Sequence, residues 1–156
     1  MTFTATLVLP YERAPLNLND SGATMGAKFA RAKKIRDLRN AVVTLARAQS
    51  LPRGLPHAAV ALHYRPPNRR GRDEDNLVAT AKPIYDALTE GRPAAVSKKS
   101  GRPVPARIGY GLVHDDVPAY MAKPTPQLHD PVKGEPGRLW VVIEWADVAK
   151  AAEVAA

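Results

Sequence analysis

Arg69, Arg70 and Arg72 run directly into Asp73, Glu74, Asp75 and Asn76, and this junction holds the residue types that phosphodiester chemistry needs. Guanidiniums favour a polyanion such as a nucleic-acid backbone, which carboxylates alone would repel. Two aspartates separated by one residue can hold a hard cation such as Mg2+, which in turn meets phosphate oxygens. Their spacing sets a condition. Side chains two apart point the same way on an extended chain but diverge by about 200° on a helix, so Asp73 and Asp75 share an ion only where the segment is extended. Asp75 also suits the N-cap of a following helix, which places it at a strand-to-helix corner.

Beyond that corner the sequence predicts a helix from about Asn76 to Glu90. Leu77, Ala81, Ile84 and Leu88 form its apolar stripe, while Asp75, Lys82 and Asp86 line the other side. Pro83 interrupts the pattern. It lacks the N–H that would bond the Ala79 carbonyl, so it should kink the helix or mark a start near Thr80. A second acidic pair, Asp115-Asp116, follows the run from Gly109 to His114. Such a pair at a strand end is most often turn chemistry.

The elements that must position these groups read as follows. Phe3 to Leu9 alternates as a first strand and stops at Pro10. Thr24 to Ser50 is helical, with Phe29, Ile35, Leu38, Val42 and Leu45 near one face and a strongly basic first half. Ala58 to Tyr64 is a second strand, and Arg138 to Trp145 a last one. Short strands are expected near Tyr110 to Val113 and Ala119 to Lys123. Residues 91–109, with several prolines and glycines and with Lys98 and Lys99 among their cations, read as a long, mobile, basic loop. The tail from Asp147 reads as a frayed helical turn or two.

Length and composition bound the class. A chain of 156 residues supports one well-buried core rather than two, and 45% hydrophobic residues argues against wholesale disorder. A formal charge of +8 points to an acidic partner, most simply DNA or RNA. With no cysteine, thiolate metal sites and cysteine nucleophiles are excluded. Met1 to Thr6 shows no basic n-region and no apolar h-region, and no stretch has the length to span a bilayer. The expectation is an intracellular, cytoplasmic protein without a membrane partner. His57, His63 and His129 form no metal-ligand spacing.

Taken in order, the arginine-rich run with Asp73-Glu74-Asp75-Asn76-Leu77, the Lys82 and Asp86-Ala87-Leu88-Thr89 segment, and Gly111-Leu112-Val113-His114-Asp115-Asp116 resemble the RusA family of Holliday-junction resolvases. The resemblance extends less specifically to Pro15-Leu16-Asn17-Leu18-Asn19 and to Arg138-Leu139-Trp140. It implies an α+β fold: a single domain, with a mixed β-sheet packed by two main helices. It also implies a homodimeric, Mg2+-dependent endonuclease that nicks opposed strands of four-way DNA junctions, with no small-molecule cofactor and with Mn2+ as a possible substitute. By position, Asp73, Asp75 and Asp116 would be metal ligands, Asp115 an accessory ligand, and Lys82 the catalytic lysine. Lys82 aligns when Val78-Ala79-Thr80 is read as an insertion, and 91–109 is much longer than the family's usual turn. Arg69, Arg70, Arg72, Lys98 and Lys99 would bind branched DNA. Two other functions fit the same residues: a non-catalytic branched-DNA-binding protein, and a metal-dependent nucleotide phosphohydrolase.

Overall fold

The computed structural model describes residues 1–17, 23–69 and 77–148. Asp73, Asp75, Arg70 and Arg72 lie outside the described residues, as does the tail from 149. The architecture is α+β, a single small domain with a mixed sheet and two helices. In chain order it has β1 (Thr2–Leu9), α1 (Met25–Ala48), β2 (Ala58–Arg65), α2 (Leu77–Leu88), β3 (Ala95–Val96), β4 (Pro103–Val104), β5 (Met121–Ala122), β6 (Gln127–Leu128) and β7 (Arg138–Ala146).

The main sheet runs β1-β7-β2-β5, with β6 also paired to β2. β7 is antiparallel to both β1 and β2, whereas β5 and β6 run parallel to β2. Alternation along the three long strands puts Leu7 and Leu9, Val60, Leu62 and Tyr64, and Leu139, Val141 and Ile143 into the core. The helices join the same core through Leu38, Val42, Val43 and Ala46 of α1 and Leu77, Ala81, Ile84 and Leu88 of α2. Among the described residues no helix is long and apolar enough to cross a membrane.

Two helical details differ from the sequence reading. Thr24 caps α1 by accepting a hydrogen bond from the Ala27 N–H at 3.0 Å. Yet Phe29 is 69% exposed, because the first three turns of α1 hold no buried residue; Ile35 is partly buried against the core and full burial begins at Leu38. In α2, Leu77–Leu88 is helical through Pro83, so the helix does not begin near Thr80. Tertiary anchoring outweighs the bond lost at the Ala79 carbonyl: Pro83 is buried along with most of its neighbours. The buried Thr80 hydroxyl donates to the Leu16 carbonyl at 2.8 Å and accepts from the Leu16 N–H at 3.2 Å, tying the early loop to α2.

Segment 91–109, the long basic stretch, carries a short hairpin. β3 and β4 pair antiparallel, Ala95 opposite Val104 and Val96 opposite Pro103, and Arg92 bridges Arg107 below them. Strands two residues long fall below the reach of periodicity. Of the short strands expected later, Val113 forms only a bridge to Leu55, Met121–Ala122 is β5, and β6 had no clear alternation to announce it.

On the sheet face opposite the core, His63 and His129 meet, although 66 residues separate them. His63 Nδ1 and His129 Nε2 are 2.9 Å apart, so one ring donates and the other accepts. Both rings lie against Trp140, at centroid distances of 5.3 and 4.9 Å. Burial, followed by the nearby His129 charge, lowers the pKa of His63 below its ordinary 6.5. The folded chain therefore resists a proton that the unfolded chain accepts, so stability is full above 6.5 and declines as pH falls toward the depressed value. Thermal melts should show a midpoint that drops as pH is lowered through 6.5, and His63→Gln should flatten that drop. An unchanged pH profile in the variant would remove the dyad from this role.

Candidate active site

α2 presents Lys82 and Asp86 on one side because residues four apart on a helix are neighbours. The Lys82 ammonium donates to Asp86 Oδ1 at 3.0 Å. The same ammonium donates to Asp116 Oδ2 at 2.6 Å, across 34 residues of chain. Lys82 and Asp116, expected together from the order of the motifs, are therefore in contact.

The backbone path explains the meeting. After the β3–β4 hairpin the chain returns along the end of α2, with Tyr110 N–H donating to the Ala87 carbonyl at 2.8 Å and Leu112 N–H to Leu88 at 2.9 Å. Gly111, at φ +84, takes a backbone conformation that side chains disfavour, and its N–H bonds Thr89 at 2.9 Å. Leu112 and Val113 are buried beneath this turn. The pair Asp115-Asp116 is thereby held against the polar side of α2.

Two further cations complete the network, and the sequence pattern did not single them out as partners. Arg39 of α1 reaches Asp86 Oδ2 at 3.3 Å, so the Asp86 carboxylate, only 12% exposed, is shared between Arg39 and Lys82. Lys123 lies 3.5 Å from Asp116 Oδ2 and 5.6 Å from the centre of the Tyr85 ring. These contacts depend on how α1 and the 117–123 segment dock on α2, which no local spacing encodes.

The electrostatics favour the charged forms of Lys82 and Asp116. The Lys82 hydrogen bond, opposed by burial but helped by the charges of Lys82 and Lys123, holds Asp116 below the usual carboxylate pKa. Burial disfavours the Lys82 ammonium, but bonds to Asp116 and Asp86 together outweigh it and raise its pKa. Asp115 is partly committed to turn geometry, its Oδ1 accepting from the Asp116 N–H at 2.7 Å. His114 pairs with Glu90 at 3.1 Å, away from Asp116.

Among the described residues Asp116 offers one carboxylate oxygen to a hard cation. Asp116 is ionised and partly shielded, and among the described residues only its Oδ2 is engaged, leaving Oδ1 with free lone pairs. The described residues hold no group of three or more potential metal ligands. Asp73 and Asp75, the other expected carboxylates, lie outside the described residues immediately before α2. Of the expected phosphate contacts, Arg69 borders an open cleft of about 390 Å3 with Pro67, Asn68, Pro131, Val132 and Lys133. Lys98 and Lys99 stand exposed at the tip of the β3–β4 hairpin. No family model matches this chain, and no curated protein sequence matches it.

Proposed function

We propose that this protein is a cytoplasmic, Mg2+-dependent endonuclease that resolves four-way DNA junctions by paired nicks, acting as a homodimer. The observation that carries the reading is the contact of Lys82 with Asp116, 2.6 Å apart and drawn from two separate motifs. An ammonium on a helix beside a strand-end carboxylate suits a reaction that places negative charge on a phosphate.

In this reading Asp73, Asp75 and Asp116 hold the ion, with Asp115 in support. When bound, Mg2+ would polarise a water and neutralise charge on the scissile phosphate. Lys82 has three N–H donors, of which Asp86 and Asp116 take two, so the third is available to a phosphoryl or leaving oxygen. Asp86, itself fixed by Arg39, sets the direction of that ammonium. Arg69, Arg70 and Arg72 would hold the adjoining backbone, which gives affinity without sequence preference. A twofold-symmetric dimer would present two such sites to a symmetric junction, one for each nick.

The test is nicking of a synthetic four-way junction in Mg2+, with linear duplex as control. Removing a residue that merely supports a metal ligand typically costs about 10- to 100-fold, so Asp75→Asn should cost more than about 100-fold. A variant that cuts at the normal rate overturns the assignment. Binding of junctions without nicking in Mg2+ or Mn2+ would make the protein a non-catalytic binder. Hydrolysis of a mononucleotide, with none of branched DNA, would make it a nucleotide phosphohydrolase.

A further inference from the structure

The β3–β4 hairpin is a cationic ribbon with a defined foot, length and edge chemistry. Arg92, Lys98, Lys99, Arg102 and Arg107 lie on it, and no acidic residue occurs from Gly91 to His114. None of the five forms an ion pair among the described residues, in contrast to Arg39, Lys82 and Lys123. Arg92 and Arg107 exchange backbone hydrogen bonds at 3.0 and 2.9 Å, and Ser97 N–H bonds Arg102 at 2.9 Å. Gly101, at φ +68, closes the tip by donating to the Ser97 carbonyl at 2.9 Å. From Arg92 to the tip the ribbon reaches about 20 Å, at roughly 3.3 Å per residue.

The foot is rigid. A Cβ on Gly109 would sit 2.3 Å from the Thr89 carbonyl oxygen and 2.5 Å from the Gly91 nitrogen. One on Gly91 would sit 2.5 Å from the Arg107 carbonyl oxygen. Only glycine permits these backbones to cross so closely. Tyr110 and Gly111, just past the foot, bond the Ala87 and Thr89 carbonyls at the end of α2. The helix that carries Lys82 and Asp86 therefore also fixes where the ribbon begins.

We infer that this ribbon is an arm that lies in the major groove of duplex DNA beside the cleavage site. The inference rests on the nuclease reading for its neighbouring site, but the ribbon's own chemistry selects the ligand. A two-stranded ribbon fits the major groove of B-form DNA, about 12 Å wide, whereas the A-form groove of double-stranded RNA is too narrow for it. Pairing with a protein strand is disfavoured, because Pro93, Pro103 and Pro105 remove backbone donors from the ribbon's strands. The exposed apolar side chains here are scattered, Val96 and Ile108, rather than gathered in a docking patch. Unpaired cations at the foot and tip, on both sides of the paired strands, match a ligand with phosphates on both sides.

The experiment measures equilibrium binding without divalent metal, so that cleavage plays no part. It compares the wild type with the triple variant Lys98→Gln, Lys99→Gln, Arg102→Gln on duplex DNA, duplex RNA and vesicles of anionic phospholipid. Each lost phosphate contact should lower the slope of log affinity against log salt by about 0.9. Between about 50 and 200 mM salt, wild-type affinity for duplex DNA should therefore fall about 40-fold further than the variant's. Duplex DNA with bulky groups on its pyrimidine 5-positions should bind the wild type as weakly as plain duplex binds the variant. Equal slopes for wild type and variant, with circular dichroism showing both folded, overturn the inference. So does a slope change of the same size on RNA or on vesicles, or indifference to the blocked groove. Failure of junction nicking with these binding results intact would overturn the nuclease reading and leave the arm standing.

Discussion

Lys82→Met should lower the rate of junction nicking by about 100- to 1000-fold while the protein stays folded. That range is typical of losing one donor aimed at developing charge. The lysine makes little contribution to stability where it stands. Its side chain is 59% exposed, and exposed ion pairs are worth about 0 to 1 kcal/mol. Its removal also strands no charge, since Asp86 keeps Arg39 and Asp116 keeps Lys123. The thermal midpoint should therefore barely move while turnover collapses, a split that a merely structural lysine would not produce. Lys82→Arg should rescue poorly, because a planar guanidinium cannot reproduce a compact ammonium set between two carboxylates. Single-turnover nicking at saturating protein, with melting curves on the same samples, checks both halves. Wild-type nicking by the methionine variant would take Lys82 out of the reaction.

How much of this was legible in advance depended on whether the controlling forces were local. β1, β2 and β7 were readable because each buries one face, so Leu7, Val60 and Val141 alternate with less buried neighbours. The apolar stripe of α2 was readable for the same reason, and all four of its expected residues are buried. Of the two outcomes expected at Pro83, a start near Thr80 is excluded because the surrounding core holds Leu77 to Ala79 helical as well. Phe29 was misjudged because periodicity says which side of a helix is apolar, not where the core beneath it ends. The β3–β4 ribbon gave no periodic signal, and its glycines mark a backbone crossing as well as turns.

At the site, Lys82 and Asp86 were visible as a pair one helical turn apart, whereas Asp116 joined them only through the order of motifs. Arg39, Lys123 and the His63–His129 dyad arise from packing between distant segments. A single sequence gives no local spacing for such contacts. The opening Asp73 and Asp75 pair lies outside the described residues, and the Asp75→Asn assay tests its proposed role.

Ile84→Ala should destabilise the fold by about 2 to 5 kcal/mol, the range for truncating a fully buried isoleucine to alanine. Ile84 is 0% exposed and sits between Ala81 and Leu88 on the stripe that seats α2 in the core. Domains of this size have only about 5 to 15 kcal/mol of stability in total, so the loss is a large share of it. At roughly 2 to 4 °C per kcal/mol, the melting midpoint should fall by about 4 to 20 °C. Val78→Ala, on the same helix but 50% exposed, should stay within about 0.5 kcal/mol and serves as the control. Because Lys82 and Asp86 project from the polar side, nicking well below the lowered midpoint should persist once corrected for the folded fraction. A variant that melts with the wild type would mean α2 is not packed as described, and with it would go the alignment of Lys82 on Asp116. Loss of nicking from a fully folded variant would instead show that the helix must be seated to within less than the cavity left by three carbons.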